Sequence, residues 1–99
     1  MIVVRNVFQL KFGKAREAKE AMTTMLAINK RIGQAKETRV LTDVTGPFYT
    51  MVLELSFPSL SDLERGQAAI MADAAWKDAY AKIVPLIESG HREIFSIVE

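Results

Sequence analysis

Hydrophobic and polar positions alternate along the chain with two different periods. From Ile2 to Phe12 the apolar residues favour every second position, which predicts a long first strand. From Lys14 to Ile32 the apolar residues recur at steps of three and four, which predicts an amphipathic helix. Gly33, directly after that stretch, is a typical stop signal. The amino-terminal third therefore predicts a strand followed by a helix.

A second alternating region follows, with a turn in its middle. Two strands are predicted, over about Thr38–Thr45 and over Phe48–Phe57, and the Gly46-Pro47 pair between them is typical of a tight turn. Pro58 ends the third strand. These two strands are therefore predicted to pair as an antiparallel hairpin.

The next region is helical and is predicted in two pieces. Ser59 or Ser61 has the chemistry to cap the first piece, and Asp73 to cap the second. Pro85 ends or kinks the second piece, and Gly90 is expected to start a last strand over His91–Val98. The predicted element order is β-α-β-β-α-β.

This order is typical of the split βαβ arrangement, an α+β fold with a four-stranded antiparallel sheet and its helices on one face. One such domain is expected to span residues 1–99. The opposite face is left uncovered, and the strand alternation gives it both apolar and polar side chains. They are Val3, Arg5, Val7, Phe48, Thr50, Val52 and Glu54. Because monomers rarely leave so large a mixed surface exposed, we predict a homodimer through this face.

Composition excludes several kinds of chemistry. The chain has no cysteine and one histidine, and no carboxylate cluster has metal-ligand spacing, so neither disulfides nor a metal site is expected. Thirteen basic residues against twelve acidic ones give a net charge of +1, which argues against nucleic-acid binding. Apolar runs are too short for a signal peptide or a membrane-spanning helix, so a cytoplasmic location without membrane association is expected.

Several short motifs resemble those of a known family. The motifs are Val4-Arg5, Phe12-Gly13-Lys14, Val52-Leu53-Glu54-Leu55, Ala72-Asp73-Ala74-Ala75-Trp76, Tyr80-Ala81-Lys82 and Pro85-Leu86. They are similar to motifs of the NIPSNAP family of the dimeric α/β-barrel superfamily, and the resemblance covers nearly the whole chain. The resemblance implies a ferredoxin-like monomer that pairs into a closed barrel, and it implies little biochemistry.

The same superfamily contains heme-degrading and antibiotic-biosynthesis monooxygenases, some with an active site of Asn, Trp and His. By this resemblance Asn6 matches the first-strand Asn, whereas Tyr80 falls near the position of the His and Ile70 near that of the Trp. Because no histidine lies on a predicted helix, axial heme ligation of that type is not expected. No cofactor is predicted. A monooxygenase, cofactor-free or heme-related, remains an alternative by analogy of fold alone.

The candidate ligand pocket consists of Asn6, Tyr49, Trp76 and Tyr80. Asn6, Tyr49 and Tyr80 are predicted on inward faces, where their convergence would give a pocket for a small apolar or aromatic molecule. Alternatively, Asn6 is satisfied by the backbone or by Tyr80, and the aromatic residues are ordinary core residues.

A second candidate constellation is the pair Arg5 and Glu54, which share the uncovered face. An ion pair inside the barrel is expected, with an anion or acid–base site as the alternative. His91 is expected as a partly exposed residue at the start of the last strand.

The sequence leaves three classes of function open. They are a small-molecule pocket, enzymatic or not, a structural or interaction protein with a closed barrel, and an RNA-binding module with the same element order. The segment Gly46-Pro47-Phe48-Tyr49 only faintly resembles the RNA-binding strand motif and has no preceding basic residue, so RNA binding is not expected. A regulatory amino-acid-binding domain shares the topology.

Overall fold

A computed structural model describes residues 1–98 and confirms the predicted fold class. Its elements are β1 (Ile2–Leu10), α1 (Ala15–Ile32), β2 (Glu37–Thr42), β3 (Thr50–Phe57), α2 (Leu60–Met71), α3 (Ala74–Ile83), a single 3-10 turn (Val84–Leu86) and β4 (Ile87–Ser96). The strands form an antiparallel sheet of four in the order β2-β3-β1-β4. The helical region is divided in two, as predicted.

The helices lie on one face of the sheet, and the core lies between the two layers. Strand alternation places one side chain of every two into this core, against the apolar stripes of the helices. The residues of this core are Val4, Leu10, Ala18, Met22, Met25, Met51, Leu53, Leu55, Phe57, Leu63, Ala79 and Ile83. The molecule measures 36 × 34 × 17 Å, so it is a slab only two layers thick.

The hairpin between β2 and β3 is longer than the sequence predicts. Strand β3 begins at Thr50 rather than Phe48, because Tyr49 has a left-handed backbone (φ 59°) that interrupts the extended chain. The Asp43 carboxylate accepts a hydrogen bond from the Thr50 amide (2.9 Å) and closes the loop. Phe48 therefore lies in the loop, 71% exposed, and its predicted place on the uncovered face was wrong.

The last strand also begins earlier than predicted. β4 starts at Ile87, directly after the 3-10 turn, so Gly90 and His91 lie within the strand rather than at its start. A side chain at Gly90 would lie 3.2 Å from the Phe8 ring, so the glycine makes room for that ring. Gly90 therefore serves packing and does not start the strand.

The inward orientation predicted for Tyr80 was wrong. Ala79 and Ile83 on α3 are buried, whereas Tyr80 is 53% exposed. The helix is only ten residues long, and its buried stripe is narrower than the sequence pattern suggests.

Side-chain caps define the starts of both short helices. Ser59, and not Ser61, caps α2 by accepting from the Asp62 amide (3.3 Å). Hydrogen bonds from the Ser59 hydroxyl and from Arg65 lower the pKa of the Asp62 carboxyl. Asp73 caps α3 by accepting from the Trp76 amide (3.1 Å), as predicted.

We expect Asp73→Ala to lower the free energy of unfolding by about 1 kcal/mol, because it leaves an amide of the first turn of α3 unsatisfied. The Asp73 carboxylate also lies 3.3 Å from Arg31 at the end of α1, but this ion pair is exposed and contributes little. Urea denaturation of the variant measures the effect. Asp78→Ala, at an exposed site on the same helix, is the control, and equal losses in both variants would contradict the capping role.

Helices α1 and α2 cross at two glycines. Gly66 is buried in the middle of α2, and a Cβ built there would overlap the carbonyl oxygen of Gly33 and lie 2.9 Å from its carbonyl carbon. Gly33 itself caps α1 with ordinary right-handed angles, so its role is close approach and not a left-handed turn. The two backbones thus touch directly at this crossing.

None of the helices in residues 1–98 is long and apolar enough to cross a membrane.

Candidate functional site

The face of the sheet without helices, which we call the open face, carries a row of four charged residues. In the strand register Arg39 on β2 lies beside Glu54 on β3, Glu54 beside Arg5 on β1, and Arg5 beside Glu93 on β4. Directly opposed residues point to the same face, so these four side chains, the charge row, share the open face. Their charges alternate in sign across the sheet.

Glu54 is the centre of the contacts within the charge row. Its Oε1 accepts from Arg39 Nε at 2.7 Å, and its Oε2 lies 3.3 Å from Arg5 Nε. The Glu54 side chain is only 15% exposed, and Arg5 Nε is buried without a well-directed hydrogen bond. Glu93 lies 3.2 Å from His91 Nε2 and makes no ion pair with Arg5 in residues 1–98.

Asn6 lies on the helix-facing side of β1, and its partner is a residue that sequence reasoning missed. Arg92 is directly opposite Asn6 in the β1–β4 register, and Arg92 Nε donates to Asn6 Oδ1 at 2.7 Å. The Gln67 amide of α2 completes the contact, with its oxygen 3.0 Å from Arg92 Nη1 and 2.9 Å from Nη2 in the orientation that satisfies both groups. The antiparallel register of β1 and β4 is the signal that could have placed Arg92 beside Asn6.

These three residues border an uncovered part of the sheet. β4 is an edge strand of the sheet and is exposed along most of its length. We call this region the β4 ledge: Asn6 and Phe8 from β1, Gln67 from α2, and Gly90, Arg92 and Ile94 from β4. The ledge offers a fixed guanidinium beside apolar surface.

The other predicted pocket residues do not meet Asn6. Tyr80 stacks on Trp76, one helical turn before it, with ring centroids 6.4 Å apart, and Trp76 packs partly buried against the core. Tyr49 packs edge-on against Phe12 at 5.1 Å. Within residues 1–98, no hydrogen bond joins Asn6 to either tyrosine. The aromatic side chains are thus distributed over separate parts of the molecule.

Two open grooves are present elsewhere. The larger, about 660 Å³, runs from the end of α1 over the β2 edge onto the open face and includes Lys36, Arg39 and Glu54. The smaller, about 360 Å³, includes Tyr49 and lies beside the hairpin. Neither contains Asn6, Trp76 or Tyr80.

His91 does not fit the position of a heme ligand beside Asn6. It pairs with Val7 and points to the open face, on the opposite side of the sheet from Asn6. The sequence contains no other histidine. The residues therefore do not fit an axially histidine-ligated heme on the β4 ledge.

Comparison with known structures first defines the class. A putative antibiotic biosynthesis monooxygenase from Nitrosomonas europaea has a similar fold, with a TM-score of 0.81, 16% identity and full coverage of both chains. The chain thus has the small ferredoxin-like α+β fold found in such monooxygenases.

The family follows from a more specific match. The NIPSNAP family profile matches residues 5–99, and the chain belongs to the NIPSNAP family. One NIPSNAP family protein of unknown function from Agrobacterium tumefaciens is 26% identical, with a TM-score of 0.86 over 96% of this chain and 86% of the other. A second from that species is 20% identical, with a TM-score of 0.90 over 99% and 93%. No curated protein matches the sequence.

Proposed function

We propose that the chain binds a small aromatic or apolar molecule that carries an anionic oxygen group, and that the molecule lies on the β4 ledge. The observation that carries this proposal is Arg92. Its guanidinium is held by two neutral amide oxygens, and no carboxylate in residues 1–98 forms an ion pair with it. A positioned cation without a counter-charge is suited to binding an anion.

The fixed orientation of the Arg92 side chain supports a role in binding an anionic ligand group. Asn6 and Gln67 come from a strand and from a helix, so the guanidinium is fixed to both layers of the fold. Because the guanidinium is already held in place before a ligand binds, less side-chain entropy is lost on binding. Arginine also presents several donors in one plane, a geometry that matches a carboxylate.

Apolar surface beside Arg92 supports an aromatic or apolar body for the ligand. Ile94, two residues along β4 on the same face, is 44% exposed, and the half-buried Phe8 ring lies over Gly90. On α2, the 62% exposed Met71 lies one turn after Gln67 and therefore on the same side of that helix. The β4 ledge thus combines one charged group, the Arg92 guanidinium, with apolar side chains on either side.

A naphthalene carboxylate tests this proposal. We expect 1-naphthoate to shift the NMR amide signals of residues on the β4 ledge, and Arg92→Met to weaken its binding at least about tenfold by removing a charge-assisted hydrogen bond. The measurement is a titration followed by ¹H–¹⁵N correlation spectra.

The matched control is Arg16→Met, an exposed arginine on α1 away from the ledge, which should leave the affinity unchanged. Two outcomes contradict the proposal. One is an unchanged affinity in Arg92→Met. The other is a set of shifts centred on Lys36 and the larger groove at β2.

We also propose that the functional unit is a homodimer through the open face and that it works in the cytoplasm. Support for the dimer comes from exposed apolar side chains on and beside that face, including Phe95 (51% exposed) and Ile97 (49% exposed). Support for the location is the absence of cysteine, since the chain needs no oxidising compartment to fold. Native mass spectrometry tests the first proposal and cell fractionation the second.

A further inference from the structure

The smaller of the two grooves, which we call the hairpin groove, brings two opposite charges to one cavity of about 360 Å³. Lys19 lines it from α1, and Asp43 lines it from the start of the loop between β2 and β3. Within residues 1–98 neither side chain forms an ion pair, with each other or with any other residue. The hairpin groove therefore presents a cation and an anion that do not neutralise each other directly.

The hairpin loop fixes the position of the Asp43 carboxylate. Its Oδ1 accepts from the Thr50 amide at 2.9 Å, and the Asp43 amide donates to the Thr50 carbonyl at 3.2 Å. Within the described residues the other carboxylate oxygen, Oδ2, accepts no hydrogen bond, so it retains its capacity for a donor. Because Asp43 is half-buried, its attraction for a cation is screened less than that of a fully exposed carboxylate.

The same loop places an aromatic side chain beside these charges. Tyr49 has a left-handed backbone, which a residue other than glycine keeps only where the surrounding contacts enforce it. Gln9 Nε2 donates to the carbonyls of Phe48 and Tyr49, and the Leu10 amide donates to the Tyr49 carbonyl at 2.8 Å. These bonds hold Phe48 at the groove, where it is 71% exposed. Strained residues of this kind cluster at ligand sites.

Apolar side chains complete the lining of the hairpin groove. The buried Leu10 lines it from β1, and the small, half-buried Ala15 lines it from α1. A ligand side chain placed among Leu10, Ala15 and Phe48 removes apolar surface from water. Small-molecule sites have volumes of about 300–1,000 Å³, and the groove lies at the lower end of this range. It therefore fits a ligand of amino-acid size.

We propose that the hairpin groove binds a free α-amino acid with an aromatic or large apolar side chain. The ligand ammonium lies against the Asp43 carboxylate, the ligand carboxylate against the Lys19 ammonium, and the ligand side chain against Phe48. An α-amino acid carries both charges and an apolar group within one small molecule, which matches all three features of the groove. The inference does not rest on the function proposed for the β4 ledge, because the groove contains none of the ledge residues.

Three ligands with the same phenyl group test the inference on the wild-type chain. L-phenylalanine carries both charges, 2-phenylethylamine carries only the ammonium, and 3-phenylpropionate carries only the carboxylate. We expect L-phenylalanine to bind the hairpin groove at least about fivefold more tightly than either of the others, because it alone makes both charge-assisted hydrogen bonds. The measurement is a titration followed by ¹H–¹⁵N correlation spectra, read at the amides of Lys19 and of residues 42–50.

Two conservative variants separate the two charges. Asp43→Asn keeps an oxygen for the Thr50 amide, and it should weaken L-phenylalanine and 2-phenylethylamine at least about fivefold without weakening 3-phenylpropionate. Lys19→Met should weaken L-phenylalanine and 3-phenylpropionate by a similar factor without weakening 2-phenylethylamine. Asp78→Asn and Lys77→Met, at exposed residues of α3, are the matched controls and should leave all three affinities unchanged.

The comparison of ligands needs no variant, so its result stands whether or not each variant folds. Equal binding of L-phenylalanine and 3-phenylpropionate to the wild-type chain would overturn the inference, as would full affinity for L-phenylalanine in Asp43→Asn. Shifts confined to the β4 ledge would also overturn it, while supporting the function proposed for the ledge. In contrast, unchanged binding of 1-naphthoate in Arg92→Met would contradict the function of the ledge and leave the amino-acid site intact.

Discussion

Gly66→Ala lowers the free energy of unfolding by about 2 kcal/mol, although the same change in an exposed helix would raise it. Alanine is about 1 kcal/mol more favourable than glycine in a helix interior. At Gly66 the added methyl group collides with the backbone of Gly33, which has no flexible side chain to move aside. The two helices must separate, and overpacking of this kind commonly costs about 1–3 kcal/mol or more.

The measurement is equilibrium denaturation of Gly66→Ala and of Ala68→Gly. Ala68 is an exposed residue of the same helix, so its replacement should cost about 1 kcal/mol through helix propensity alone. The two variants change the same two residue types in opposite directions within one helix. Stabilisation of the chain by Gly66→Ala would show that α1 and α2 do not approach as closely as described.

Val7→Asp converts the proposed homodimer into a folded monomer. Val7 is half-buried on the open face and does not belong to the core between sheet and helices, so a single chain tolerates the carboxylate. In the dimer the substitution buries one carboxylate of each copy in the interface, between Val52 on one neighbouring strand and His91 on the other. The effective cost of burying an ion is several kcal/mol, which is enough to lower the affinity at least about a thousandfold.

Sedimentation velocity over a range of protein concentrations measures this effect, and circular dichroism checks that the variant is folded. The matched control is Val44→Asp, the same substitution in the hairpin loop at a residue that is 96% exposed. The control should remain dimeric. A dimeric Val7→Asp variant would place the interface on another surface of the molecule.

The order of elements was predictable because each depends on local pattern. Alternation predicted the strands, three- and four-residue steps predicted the helices, and Asp73 predicted the division between α2 and α3. Boundaries were less predictable where backbone conformation decided them. The left-handed Tyr49 lengthens the hairpin, and nothing in a tyrosine side chain indicates such a conformation.

The sites were predictable only where they lie within one strand pair. Arg5 and Glu54 were expected to be neighbours because β1 and β3 are central, but the contributions of Arg39 and Glu93 depend on the register of both edge strands. The partner of Asn6 was missed for the same reason, since Arg92 becomes its neighbour only once β4 is known to begin at Ile87. The role of Gly66 depends on a crossing of two helices, which periodicity does not contain.

The exposure of β4 has a consequence for local unfolding. This strand hydrogen-bonds to β1 along one edge and is uncovered along most of both faces, so few buried contacts oppose its detachment. Its amide hydrogens should therefore exchange with solvent before those of β1 and β3. Detachment completes the exposure of Ile94 and Phe95, which are already 44% and 51% exposed, and it frees the edge of β1, a combination that promotes aggregation. The attachment of β4 to β1 thus determines how long a single chain resists aggregation when no partner covers β4.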